Sequence, residues 1–121
     1  MKKILFIEDE AALQRAITQS LSEEGFQVLS ALDGEIGLKI AHNETPDLIL
    51  LDLILPVKDG FEVLAALKGD PKTAPIPVIV LTNLEGSTDV ERALSLGATT
   101  YLVKTNYRLE DVLQKIKQTL Q

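Results

Sequence analysis

Short apolar runs alternate with amphipathic stretches along the whole chain. Ile4-Leu5-Phe6-Ile7 is apolar at every position, which suits a strand covered on both faces. Leu13, Ile17 and Leu21 follow at four-residue spacing and predict one helical face, with Gly25 as a left-handed stop. Gln27-Val28-Leu29-Ser30 reads as a second strand, and Asp33 caps a second helix that turns Leu38 and Ala41 inward. Asp47 to Leu51 is the most buried-looking strand. Phe61, Leu64 and Leu67 mark a third helix that closes at Gly69-Asp70-Pro71. Pro77-Val78-Ile79-Val80-Leu81 predicts the fourth strand. Thr88 and Glu91 have the spacing of a capping box for a fourth helix ending at Gly97. Thr99 to Val103 reads as the fifth strand, and Leu109, Val112, Leu113, Ile116 and Leu120 line a fifth helix. Five strands alternating with five helices predict an α/β fold, with a parallel sheet covered on both faces.

Composition narrows the class. The chain has 121 residues, one domain's worth, taken as 1–121. A chain of this size can bury about two-thirds of its unfolded surface, which supports one core without staples. Cysteine is absent, so disulfides and thiolate metal sites are excluded. Twelve Lys and Arg stand against eighteen Asp and Glu, a net charge of −6, which argues against a nucleic-acid or anionic-membrane partner. The longest apolar run, Leu48 to Leu55, is broken by Asp52 and too short to span a membrane. The opening Lys2-Lys3-Ile4 is not a signal peptide, because Glu8, Asp9 and Glu10 end its apolar run. The expected location is the cytoplasm.

An open parallel sheet binds ligands beyond the carboxyl ends of its strands. On this reading the first strand ends in Glu8-Asp9, the third in Asp52, the fourth in Thr82 and the fifth in Lys104. Asp52 interrupts an apolar segment and is badly placed as a helix cap, since no helix follows until Asp59-Gly60. Glu8 and Asp9 also suit the N-terminus of the first helix, but that role needs no third carboxylate. Two carboxylates about 4 Å apart repel by on the order of 4 kcal/mol at a surface-like dielectric, and a bound cation relieves this. Oxygen ligands without His or Cys select a hard ion, and a site meeting a phosphate suits Mg²⁺. Lys104 is placed to pair with these acids and then with an incoming phosphoryl group, to which Thr82 can donate. His42, the only histidine, lies away from the strand ends and reads as a solvated bystander.

These residues resemble the receiver domains of two-component response regulators. The matching pieces are Ile4 to Glu10, Asp47 to Pro56 with Asp59-Gly60, Pro77 to Thr82, Gly97 to Tyr101, and Lys104. The resemblance implies a flavodoxin-like doubly wound (βα)5 sandwich with strand order 2-1-3-4-5. It implies that Asp52 accepts a phosphoryl group from a histidine kinase or phosphotransfer protein. Asp9, Asp52 and the carbonyl of Ile54 would bind Mg²⁺ directly, and Glu8 through water. Lys104 and Thr82 would contact the phosphoryl oxygens, and Tyr101 would change rotamer and reshape the face of helix four, strand five and helix five for a downstream partner or a homodimer. The plain alternative for Tyr101 is a half-buried strand residue with its hydroxyl in water. The family carries Lys-Pro where this chain has Lys104-Thr105, and the sequence leaves that peptide's isomer open.

Other functions on the same fold fit less well. An aspartyl-phosphate phosphatase or mutase needs a second acid two residues after the nucleophile, where this chain has Ile54. A flavin module needs a hydroxyl- and glycine-rich loop after the first strand, and Glu8-Asp9-Glu10 would repel phosphate. A degenerate receiver that binds partners without phosphorylation is the alternative. Thr105 and Asn83 leave room for it, and the intact acids, Thr82 and Lys104 argue against it. The start at Met1-Lys2-Lys3 favours a free-standing regulator, rather than an enzyme, that promotes its own phosphorylation and dephosphorylation.

Overall fold

Strands that are apolar at every position must be covered on both sides, and the computed structural model, which describes all residues 1–121, places Ile4 to Ile7 and Leu48 to Leu51 entirely out of solvent. The elements run β1 (Lys3–Ile7), α1 (Ala11–Glu23), β2 (Gln27–Ala31), α2 (Gly34–Glu44), β3 (Leu48–Leu51), α3 (Gly60–Gly69), β4 (Val78–Thr82), α4 (Ser87–Ser95), β5 (Thr100–Val103) and α5 (Leu109–Leu120). All neighbouring strands are parallel, in the order β2-β1-β3-β4-β5. This is the flavodoxin-like topology that the resemblance implied.

The two-residue period of the strands divides the core into two layers. Leu5, Ile7, Ile49, Leu51, Val78 and Val80 pack with Ala41, Val63, Leu64, Leu67 and Ala93 of α2, α3 and α4. Ile4, Phe6, Leu48, Leu50, Ile79 and Leu81 face Ile17 and Leu21 of α1 and Val112 and Ile116 of α5. Register then decides where the chemistry emerges. Ile7 pairs with Ala31 on one side and Leu51 on the other, and Thr82 pairs with Val103. Glu8, Asp52 and Lys104, each one residue beyond its strand, therefore leave the sheet along the same edge.

Local chemistry sets several of the helix ends. Asp33 accepts from the Ile36 N–H at 2.8 Å and Asp59 from the Glu62 N–H at 3.0 Å, as N-caps do. Gly25 and Gly97 take positive φ after α1 and α4. The expected Thr88–Glu91 capping box is not formed. α4 begins two residues earlier than that box requires, with Gly86 at the N-cap and no side-chain cap, so Thr88 lies inside the first turn. The chain contains no cis peptide bond, so Lys104-Thr105 is trans, and Lys104–Asn106 forms a single 3-10 turn.

The loop between β3 and α3 is clamped from two sides. A Cβ at Gly60 would collide with the Asp52 carbonyl and Leu53 Cα, and one at Gly34 would collide with the Lys58 carbonyl. Between these close approaches the Lys58 N–H donates to the Pro56 carbonyl at 2.7 Å, which forces Val57 to a φ of +68°. A β-branched residue in the left-handed region is strained, and Val57 is 79% exposed, so packing does not offset it. Val57→Gly is expected to raise unfolding stability in urea by about 1 kcal/mol. An unchanged or lowered midpoint would contradict the assignment of strain to this residue.

Candidate functional site

Glu8 leaves β1 directly into the site and is completely buried. Its Oε2 accepts from the Glu10 N–H at 3.1 Å, and its Oε1 stands 2.7 Å from the Lys104 Nζ. That approach is a close ion pair, and no other donor reaches Oε1. Asp52 is 3% exposed. Its Oδ2 accepts from Lys104 Nζ at 2.9 Å, its Oδ1 from the Ile54 N–H at 3.1 Å, and its own N–H donates to the Ile7 carbonyl at 3.1 Å. Asp9 is exposed and its carboxylate accepts no hydrogen bond, yet carboxylate oxygens of Glu8, Asp9 and Asp52 all lie within 4.8 Å of one another.

The electrostatics follow from this crowding. Burial, reinforced by the Asp52 charge, raises the Glu8 pKa despite the opposing effects of Lys104 and the Glu10 N–H. Burial alone would lower the Lys104 pKa, but the bonds to Glu8 and Asp52 outweigh it and the net shift is upward. Lys104 is thus a held cation, and Glu8 a carboxylate whose charge is costly where it sits. One ammonium for three carboxylates leaves the hollow short of positive charge. The convergence of three carboxylates, the unpartnered Asp9 and an all-oxygen donor set fit a hard divalent cation.

Beside the acids, Thr82 is fully buried at the end of β4 and its Oγ1 accepts a long contact, 3.5 Å, from the Leu84 N–H. The Tyr101 hydroxyl donates to the Leu84 carbonyl at 2.6 Å. The phenol is therefore bonded rather than left in water. One peptide segment links Thr82 to Tyr101, a connection through backbone that side-chain patterns cannot reveal. Ile54 is 52% exposed at the mouth of the hollow.

Two features lie outside the expected set. His42 is exposed but has a partner: its Nδ1 stands 2.9 Å from Asp70 Oδ2, bridging α2 and the end of α3 at a cleft of about 310 Å³, apart from the carboxylate cluster. Gln14 in α1 donates to the carbonyls of Glu8 at 3.2 Å and Ala31 at 3.0 Å. Sequence reasoning missed it because a glutamine on a helix reads as solvated.

Tyr101 offers a spectroscopic check. Burial, then the charges of Asp89 and Asp52, disfavour its phenolate and raise its pKa. A phenol raised in the folded state contributes stability that is full below the unfolded value near 10 and is lost as pH climbs through the folded value. Absorbance titration at alkaline pH is expected to show one phenol ionising late, and Tyr101→Phe to remove it. A late transition that survives the substitution contradicts the assignment.

Comparison with known proteins agrees with this geometry. The family described as the response regulator receiver domain matches residues 4–117. The chain is 39% identical over 111 residues to the response regulator PleD of Caulobacter vibrioides, covering 92% of this chain and 24% of that protein. It spans about a quarter to a half of the length of the curated relatives it matches. A CheY-like receiver domain protein from Methanospirillum hungatei superimposes with a TM-score of 0.92 at 30% identity, covering 99% of this chain and 94% of the other. The receiver domain of the sensor histidine kinase PA1611 from Pseudomonas aeruginosa, solved with a magnesium ion coordinated in its active site cleft, gives 0.86 at 30% identity, with 98% and 96% covered. No helix is long and apolar enough to cross a membrane. With the family match running over residues 4–117 and the strand order and overall superposition in agreement, the chain belongs to the response regulator receiver domain family of two-component systems.

Proposed function

We propose that this receiver, taken as 1–121, is a phosphoacceptor switch, and that Asp52 takes a phosphoryl group from the phosphohistidine of a kinase or phosphotransfer protein. The observation that carries this reading is the Lys104 ammonium held between Glu8 and Asp52, with Asp9 in the same cluster. Asp9, Asp52 and the Ile54 carbonyl would hold Mg²⁺ directly and Glu8 through water; bound there, the ion supplies charge neutralisation at the phosphoryl oxygens. The remaining work falls to the chain. An Asp52 carboxylate oxygen attacks phosphorus in line, so that the new P–O bond forms as the P–N bond to the donor imidazole breaks. Lys104 is already within reach of Asp52 and redirects the hydrogen bonds donated by its ammonium to the incoming oxygens. The Thr82 hydroxyl donates a hydrogen bond to the same oxygens.

The acyl phosphate so formed is open to water, so the regulator limits its own signal without being an enzyme for another substrate. Drawing Thr82 inward moves Leu84, and through its carbonyl the Tyr101 hydroxyl. Driving such a switch from 1:99 to 99:1 requires about 5.5 kcal/mol of differential interaction. The surface altered is that of α4, β5 and α5, which would bind a downstream protein or a second copy. A net charge of −6 weighs against direct binding to nucleic acid. The reading places it in the cytoplasm, where its phosphodonor would act.

Incubation with radiolabelled acetyl phosphate and Mg²⁺ is expected to label the unaltered chain, and Asp52→Asn to abolish the label. Full labelling of the Asn variant would sink the assignment. A chain that never labels, yet still binds its partner, would be a degenerate receiver.

A further inference from the structure

Asp9 is the least supported member of the acid cluster. It is exposed, and its carboxylate accepts no hydrogen bond. A flexible carboxylate binds a cation weakly, because ordering it on binding costs conformational entropy. Something must fix its backbone instead. α1, which follows directly, does not do so by ordinary means: its N-cap residue, Glu10, makes no side-chain cap.

The bonds around Asp9 converge on Gln14. The peptide before Asp9 presents the Glu8 carbonyl, which accepts from Gln14 Nε2 at 3.2 Å. The second proton of the same amide goes to the Ala31 carbonyl at 3.0 Å, the acceptor that also takes the Glu8 N–H at 3.0 Å. Two carbonyl acceptors fix which end of the amide is nitrogen. The peptide after Asp9 presents the Glu10 N–H, held by Glu8 Oε2, and the Glu10 carbonyl accepts from the Gln14 N–H at 3.0 Å. Gln14 thus ties the ends of β1 and β2 together from one side chain and fixes the first turn of α1 from its backbone, with Asp9 bracketed between.

We infer that Gln14 is a positioning residue of the divalent-cation site, acting through the Glu8 and Ala31 carbonyls to hold the backbone that aims Asp9. The inference rests on the cation-dependent reading given under Proposed function. Its reach is that of an outer partner, whose loss typically weakens metal binding by about tenfold or more.

The test is calorimetric titration of Mg²⁺ into the full chain at fixed ionic strength, with urea unfolding of each variant measured without metal. Gln14→Met keeps length and helix propensity and loses both donors; it is expected to raise the Mg²⁺ dissociation constant about tenfold. Gln14→Asn shortens the reach by one methylene and is expected to move affinity in the same direction with less disturbance. Gln19→Met makes the same chemical change on α1, where the amide only meets Glu23 at 3.4 Å, and is expected to leave Mg²⁺ affinity unchanged. A purely structural role lowers the urea midpoint of the Gln14 variants and leaves their Mg²⁺ affinity equal to that of the unaltered chain, and that result overturns the inference alone. An unaltered chain that binds no Mg²⁺ removes the reading beneath it, and the inference falls with it.

Discussion

Two carboxylates that are almost wholly out of water, Glu8 and Asp52, share one ammonium, that of Lys104, at 2.7 and 2.9 Å. Even at the screened dielectric of a protein surface, like charges about 4 Å apart repel by on the order of 4 kcal/mol, and burial makes the cost larger. A cation between the acids offsets that repulsion while both stay charged. Lys104 supplies it from the far side of the sheet, 96 residues along the chain from Glu8. The same contact that makes the hollow tolerable leaves it with an excess of negative charge, since Asp9 has no partner at all. A site that is stable but undercharged is one into which a second cation can settle and from which the lysine can be lent to an arriving anion.

The doubly wound sheet is what makes such a convergence possible. Parallel strands put all their carboxyl ends on one edge, and the pairing of Ile7 with Leu51 and of Thr82 with Val103 brings each chemical residue out one step beyond a buried neighbour. Rigidity and movement are then divided between loops. The segment after Asp52 is locked by the close approach of Gly60, and the segment after Glu8 by the Gln14 amide. The segment after Thr82 is held more lightly, by a 3.5 Å contact to the Thr82 hydroxyl and a short bond from Tyr101. A weak inner contact and a strong outer one suit a loop that moves when something attractive appears beside Thr82.

Most of the fold was legible because its signal is repeated. A strand buried on both faces shows an unbroken apolar run, and a helix against a sheet shows one apolar stripe, so Ile4–Ile7 and the face of Ile17 and Leu21 declare themselves. The site was legible because carboxylates at strand ends break that pattern, as Asp52 does between Leu51 and Leu53. What escaped depended on backbone geometry. Gln14 and Leu84 matter through carbonyls and N–H groups, which every residue has. The positive φ of Val57 comes with the backbone bond between Lys58 and Pro56, and α4 starts at Ser87 on an N-cap, Gly86, that carries no side chain to announce it. The pairing of His42 with Asp70 joins residues on two helices whose relative rotation no local pattern fixes.

The central claim is that the acids, Lys104, Thr82 and Tyr101 form one coupled unit. NMR titration with Mg²⁺ and beryllofluoride, a stand-in for the phosphoryl group, tests this most directly. The amides of Asp9, Asp52, Thr82, Leu84 and Tyr101 are predicted to shift together along one binding curve, with further changes in α4 and α5. Shifts confined to the acids, with Thr82 and Tyr101 unmoved, would contradict the claim.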